Sequence, residues 1–396
     1  MTPSRKSLRC VNLPTSISTS ETATKMQDST FERKSYFHDP LFKAMSDALE
    51  VAQNGPAHGP NPQVGCVLIS PDGVKIGVGW HMGAGTPHAE VAAIADARAN
   101  GHSTQGTTAV VTLEPCNHLG RTGPCTQALI AADVACVLYP IEDPGKDSGG
   151  GAAALQADGV RVETWEQWFA KSATDAELAA MYMNHAWEGV RYWHHAMKTG
   201  RPWVTLKLAT TLDGKVAAQA GSSQWITGPQ AREHAHAVRA SLDAIAVTTG
   251  TALADDPALT ARFPTGELAS HQPLRVVVGH REIPATAKLR GAGGEILQIR
   301  THDVGEVLAA LHAREVRHLL VEGGPALLST FLKADVVDEI HAYVAPMLLG
   351  AGKNAVADFG IDTLIAAPRW VTREVKQLGD DVFIRAMTAR TVGGEK

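Results

Sequence analysis

The chain has only five cysteines in 396 residues, Cys10, Cys66, Cys116, Cys125 and Cys136. Their small number and scatter exclude a disulfide framework and fit a reducing cytoplasm. No apolar run approaches the ~18 residues that a membrane helix needs, so no helical anchor is expected. Positive charge is not in excess: the net charge is −5 with 17 histidines. No global field then draws nucleic acid, and an anionic small-molecule substrate has to be held by a few local Arg or Lys side chains. No apolar stretch follows Arg5, Lys6 and Arg9, so a secretory signal is not expected. There is no repeat of about 20 to 50 residues, which excludes a solenoid. No GxGxxG follows a strand pattern, so the standard Rossmann fingerprint is also missing.

What is present is a globular composition, 44% hydrophobic and 19% charged, in a chain long enough for two domains. Residues 1–37 are rich in Ser and Thr without apolar periodicity and are expected to be a disordered tail, or an over-long start with Met26 as the true first residue. Apolar spacing predicts a helix over Pro40–Gln53, and the turn residues Ser70 to Gly73 join strands at Val64–Ile69 and Val74–Trp80. A helix at His88–Ala99, a strand at Ala109–Leu113, a helix at Thr126–Ala132 and a strand at Ala135–Tyr139 complete a three-layer α/β pattern. Trp165–Lys198 reads as helix. The second half carries strands at Trp203–Leu208, Asp243–Val247, Leu274–Val278, His318–Val321 and Glu339–Ala345 with helical patterns between. The expected domains are residues 38–184 and 201–392, with 185–200 as linker.

One constellation carries chemistry. His88 and Glu90 open a helix, and Pro115-Cys116 and Pro124-Cys125 lie between a strand and the next helix. One His and two Cys suit Zn²⁺ and leave its fourth position to water, whose pKa the metal lowers from ~15.7 to ~7. Glu90, two residues from His88, is placed to take the proton of that water and pass it to a ring nitrogen and the departing ammonia. The plainer alternative is a closed structural zinc with His118 as fourth ligand. Cys66 and Cys136 read as small buried hydrophobes in strands.

Eight residues separate Cys116 from Cys125, where the common deaminase pattern has two. The run TLEPCNHLGRTGPC, with HAEVAAI and NPQVGCVLI before it, resembles the deaminase half of the bifunctional riboflavin-biosynthesis deaminase-reductases. The resemblance continues through LKLATTLDGKVA, SSQWITG, TGTALADDPALTAR, LLVEGGPALLSTFL and AYVAPMLLG, over nearly all of residues 40–385. It implies a cytidine-deaminase-like domain followed by a dihydrofolate-reductase-like domain that binds NADPH. It also implies that Asn61 and His81 line a pyrimidine pocket and that His118 and Arg121 hold the phosphorylated substrate. In the second half it implies NADPH contacts at Ala209, Trp225, Thr251, Asp255, Gly324, Pro325, Ala326 and Leu327. Substrate contacts fall at Lys207, Ser223, Arg239, Leu259, Arg262 and Glu322.

Spacing alone reads Glu322 to Pro325 equally as a simple strand-to-helix turn, Arg239 as a surface ion pair, Trp225 as core packing and Asp255-Asp256 as a turn and cap. One departure stands out: after Asp143-Pro144 the family usually has Asn, and this chain has Gly145 and then Lys146. The expected function is deamination of a phosphorylated diaminopyrimidine and NADPH reduction of its ribosyl group, in a cytoplasmic homo-oligomer with no nucleic-acid or membrane partner. The rival readings are a nucleic-acid base deaminase and a deaminase whose second domain is inactive.

Overall fold

The computed structural model describes residues 39–119, 123–172, 174–222 and 224–389. The expected N-terminal tail, Arg121 and Ser223 fall outside the described residues. Helix α1 (Pro40–Ala52) begins where Asp39 Oδ1 accepts from Leu41 N at 2.8 Å and Pro40 presets the first turn. Strands β1 (Gly65–Ile69) and β2 (Lys75–Trp80) form the expected hairpin, with Gly73 at φ 85° in its turn. After them come α2 (Ala89–Ala99), β3 (Thr108–Val111), α3 (Cys125–Ala131), β4 (Cys136–Tyr139), α4 (Gly151–Ala157) and β5 (Arg161–Thr164).

The sheet order is β2-β1-β3-β4-β5, with the first two pairings antiparallel and the last two parallel. Side chains alternate along β1: Cys66 and Leu68 pack with Ala93, Ile94 and Leu129 on one face, Val67 and Ile69 with Phe42, Met45, Trp165 and Tyr182 on the other. This is the expected three-layer arrangement. Cys66 and Cys136 are buried core residues, as expected. Gly79 lets α2 lie close on the sheet, since a Cβ there would collide with Ala89 O and Ala93 N. That contact fixes the start of α2, and with it His88 and Glu90.

The stretch expected as one helix from Trp165 to Lys198 is two, α5 (Trp165–Lys171) and α6 (Ala176–Thr199). Side chains make the break: Ser172 Oγ turns back onto Trp168 O at 2.9 Å, and Asp175 caps α6 by accepting from Glu177 N and Leu178 N. Helix α6 begins in the first core with Leu178 and Tyr182. It ends on the second sheet, where Tyr192 stacks on His318 with ring centroids 3.8 Å apart and Glu188 pairs with Arg385 at 3.1 Å. Residues 185–199 are thus helical and packed.

The second half contains β6 (Trp203–Thr211), β7 (Lys215–Ala218), α7 (Pro229–Arg239), β8 (Ala244–Thr248), α8 (Thr249–Asp255), β9 (Leu274–Val278), β10 (Ile296–Ile299), α9 (Val304–His312), β11 (His318–Val321), α10 (Pro325–Lys333), β12 (Glu339–Ala345), β13 (Gly352–Asn354), β14 (Trp370–Leu378) and β15 (Asp381–Thr388). The main sheet runs β10-β9-β8-β11-β6-β12-β15-β14, parallel from β10 to β12 and antiparallel beyond. Ala244 and Ala246 of β8 face α9 and α10 through Leu308, Leu328 and Phe331, while Ile245 and Val247 face Val238 of α7 and Ala252 of α8. Among the described residues no helix is long and apolar enough to cross a membrane.

Candidate active sites

The first site forms where α2 and α3 start side by side. His88 caps α2, Cys116 lies in the loop after β3, and Cys125 is the first residue of α3. His88 Nδ1 is 3.4 Å from Cys116 Sγ and 3.2 Å from Cys125 Sγ, and the three ligand atoms lie within 4.8 Å of one another. In a tetrahedron with metal bonds of about 2.0–2.3 Å, ligand atoms stand about 3.3–3.8 Å apart, so this donor set fits zinc in spacing as well as chemistry. The Cys116 thiol is pulled below its ordinary value, first by its hydrogen bond with Cys125 and then, against burial, by His88. Thiolate is the form that binds metal.

Glu90 is buried at 3% exposure, with Oε2 3.3 Å from Cys125 Sγ. Burial, helped by Cys116, pushes its carboxyl above the ordinary range. A carboxyl raised toward neutrality is suited to taking and returning a proton. Beside it His81 donates from Nδ1 to Pro87 O at 3.2 Å, which leaves Nε2 to accept from Asn61 Nδ2 at 2.8 Å. Burial lowers the His81 pKa, so this neutral tautomer persists, and its ring meets that of His88 edge-on at 5.1 Å.

Asn61, His81, His88, Glu90 and Cys116 line a cavity of about 470 Å³, bordered also by His118, Asp143 and Lys146 and by Arg317 from the second half. His118 Nδ1 is buried and has no partner among the described residues. Gly145 has a local reason: a Cβ there would collide with Ser148 Oγ, which donates to Asp143 Oδ1 at 2.9 Å. Lys146, Asp147 and Ser148 line the cavity at that point. Sequence reasoning missed Ser148 and Arg317, because neither lies in a motif with the zinc ligands.

The second site lies at the carboxyl ends of β8, β11 and β6. From β8 the chain leads outward to β9, and from β11 it leads the opposite way, past β6 to β12. Such a reversal between adjacent parallel strands opens a crevice for a ligand. Thr251 of α8 and Gly324, the cap of α10, meet across it, with Gly324 N donating to Thr251 Oγ1 at 3.4 Å. A Cβ on Gly324 would find nothing nearer than Thr251 Oγ1 at 4.0 Å, whereas one on Gly323 would come within 3.0 Å of Leu327 Cβ. Packing therefore explains Gly323 and leaves Gly324 open to a ligand. Ala326 is exposed, Leu327 is buried in the core, and Ala209 lies on the neighbouring β6. Asp255 is exposed at the end of α8.

Glu322 follows β11 and is gripped by Arg239 from α7, with Lys207 Nζ 3.8 Å away. Arg239 is thus an ion-paired residue facing the crevice. Thr260 O also accepts from Arg239 Nη1 at 3.2 Å, which brings the 259–262 segment alongside. Leu259 is buried in the core at φ 52°, so contact from it to a ligand falls to its backbone. Arg262 is exposed and donates to Gly266 O at 2.8 Å. Trp225, 70% exposed, is no core residue; its ring lies 4.7 Å from the Arg232 guanidinium.

Comparison with known proteins finds a match for each half of the chain. Residues 40–140 match the family described as cytidine and deoxycytidylate deaminase zinc-binding region, and residues 202–384 match the RibD C-terminal domain. The chain is 46% identical to the riboflavin biosynthesis protein RibD of Mycobacterium tuberculosis, over 82% of this chain and 90% of that one. It is 35% identical to the RibD of Escherichia coli over 87% and 98%. The solved Acinetobacter baumannii RibD superimposes with a TM-score of 0.75 at 32% identity, covering 90% of this chain and all of that one.

Proposed function

Since the chain belongs to the RibD family of riboflavin biosynthesis proteins, bifunctional deaminase-reductases that use zinc and NADPH, we propose how its own residues divide that work. The deaminase unit is residues 38–184, the reductase unit 201–392, and 185–200 join them. In the first, His88, Cys116 and Cys125 hold zinc. When bound, zinc supplies the Lewis acidity that lowers the pKa of a water to ~7. Glu90 would carry two protons in turn, one from the attacking water to the ring nitrogen next to the reacting carbon and the second from the hydroxyl so added to the leaving amine. Asn61 and His81 orient the pyrimidine, while His118 and Arg121 hold its phosphorylated ribose and Lys146 adds a charge to the same cavity.

In the second unit, Ala209, Trp225, Thr251, Asp255 and the Gly324–Leu327 turn hold NADPH in the crevice between β8 and β11. NADPH supplies the hydride. Lys207, Ser223, Arg239, Leu259, Arg262 and Glu322 hold the phosphoribosylamino substrate so that its ribosyl C1 faces the cofactor. We infer a cytoplasmic homo-oligomer; the exposed Val371 and Val375 on the edge strand β14 support association.

The observation that carries this reading is the meeting of a zinc-type donor set, a buried Glu90 and the Asn61–His81 pair in one cavity. The test is a paired assay on diaminohydroxyphosphoribosylaminopyrimidine that follows ammonia release and NADPH oxidation separately. Glu90→Gln is expected to lower ammonia release about 10³-fold. The same variant should still reduce pre-deaminated substrate. Normal deamination by Glu90→Gln would overturn the assignment.

A further inference from the structure

The loop that delivers Asn61 to the deaminase cavity is held from the other half of the chain. Gly59 N donates to Asp243 Oδ1 at 2.5 Å, and Pro60 O accepts from Arg317 Nε at 3.3 Å. The second oxygen of Asp243 accepts from the backbone N of Arg317 at 2.8 Å and of His318 at 2.9 Å. Next to this clamp the rings of His58 and His271 stack with centroids 3.4 Å apart and planes 6° from parallel. Asp243 immediately precedes β8 and Arg317 immediately precedes β11. One carboxylate thus binds the starts of two central strands of the reductase sheet to a deaminase loop. Two residues beyond Gly59, the Asn61 amide reaches His81.

We propose that Asp243 is a positioning residue for deamination: by clamping the Gly59 backbone from the reductase sheet, it sets where the Asn61 amide meets the pyrimidine. The chemistry requires a carboxylate. Three N–H groups converge on it, and an amide in its place has only one acceptor oxygen and turns its own N–H groups toward donors. The clamp acts on the backbone itself, because Gly59 sits at φ 98°, where only glycine rests without strain. The deaminase cavity therefore depends on the second half beyond simple docking. This rests on the reading of Asn61 as a pyrimidine contact.

The experiment uses the full chain with Asp243→Asn, Asn61→Ala and the double variant, measuring ammonia release against substrate concentration and NADPH oxidation on pre-deaminated substrate. Asp243→Asn is expected to raise the deamination KM about tenfold, the size of one charge-assisted hydrogen bond, with kcat changed less than about threefold. Reduction should stay within about twofold, because the backbone pairing of β8 with β11 is untouched. In the Asn61→Ala background the Asp243→Asn effect should shrink below about twofold, as coupled residues require. An unchanged KM, or effects that multiply in the double variant, overturns the proposal. A normal KM in Asn61→Ala alone instead overturns the reading of the cavity. Should Asp243→Asn fail to fold, Arg317→Gln cuts the side-chain link to Pro60, although it also alters the cavity wall, and should raise the KM about threefold, again only when Asn61 is present. Persistence of that effect without Asn61 would make Arg317 a direct substrate contact and sink the positioning role.

Discussion

Arg239 holds Glu322 with two parallel bonds, Nε to Oε1 at 3.1 Å and Nη2 to Oε2 at 2.6 Å, at the head of the reductase sheet. Burial by itself would raise the Glu322 carboxyl, but Arg239 and then Lys207 overcome it and hold the pKa at about 2 against an ordinary 4.5. A pair of this geometry both fixes the arginine and keeps a charge in the crevice that would be costly alone.

Removing the guanidinium should therefore destabilise the reductase half in a pH-dependent way. A carboxyl whose folded pKa is depressed contributes stability that is fully present above about 4.5 and lost as pH falls through about 2. Arg239→Ala is expected to cost about 3 kcal/mol at pH 7 by leaving Glu322 with only the longer Lys207 contact. The gap from the wild type should narrow in thermal melts taken from pH 5 down to pH 3. Superimposable melts at pH 7 would show that the pair contributes nothing.

At the other site, the donor set makes a prediction about metal rather than protons. Cys125→Ser should reduce bound zinc from about one per chain to below about a tenth and abolish ammonia release, because one of three protein ligands is lost. NADPH oxidation with pre-deaminated substrate should continue, since no zinc ligand lies on the second sheet. A strong chelator should have the same selective effect on the wild type. Zinc content by elemental analysis, alongside both assays, decides it; reduction lost together with zinc would mean that the two halves do not work separately.

Much of this was legible because the signals are local. His88 and Glu90 share a helix start, and each cysteine follows a proline beside a strand or helix end, so residue type and spacing alone point to zinc chemistry. The parallel strands Leu274–Val278 and His318–Val321 could be read to the residue from their apolar runs. The hairpin β14-β15 was not foreseen, and its Val371 and Val375 face solvent, so apolar spacing there does not mark a core. Strand β5 has no fully buried residue and no apolar run to announce it. The break before α6 depends on Ser172 and Asp175 side chains bonding to backbone, which periodicity does not register. Asp243 and Arg317 were illegible for a different reason: they act 184 and 257 residues away from the loop they hold.

Trp225 offers a test of the cofactor crevice that does not depend on turnover. An indole this exposed, with its ring facing Arg232 at 4.7 Å, has aromatic surface free to cover a bound nicotinamide or ribose. Trp225→Ala should raise the NADPH Kd about five- to tenfold in calorimetric titration, the scale of one aromatic contact. Its melting temperature should stay near that of the wild type because little buried area is lost. An unchanged Kd would return Trp225 to the status of a surface residue.

The two glycines after Glu322 separate packing from binding more sharply, because they are adjacent and their surroundings differ. A methyl on Gly323 meets Leu327 Cδ2 at 2.8 Å and Cβ at 3.0 Å, and the Cβ cannot swing away from its helix. Gly323→Ala should thus cost about 1–3 kcal/mol through overpacking, seen as a lower melting temperature with or without cofactor. A methyl on Gly324 meets only Thr251 Oγ1, at 4.0 Å, so the Cβ of Gly324→Val has room and the variant should lose less stability than Gly323→Ala. Its side chain would instead stand where a phosphate approaches the amides at the start of α10, and the NADPH Kd should rise about thirtyfold or more. If Gly324→Val bound NADPH as tightly as the wild type, the cofactor would have to lie away from this turn, and the crevice between Thr251 and Gly324 would lose its assigned ligand.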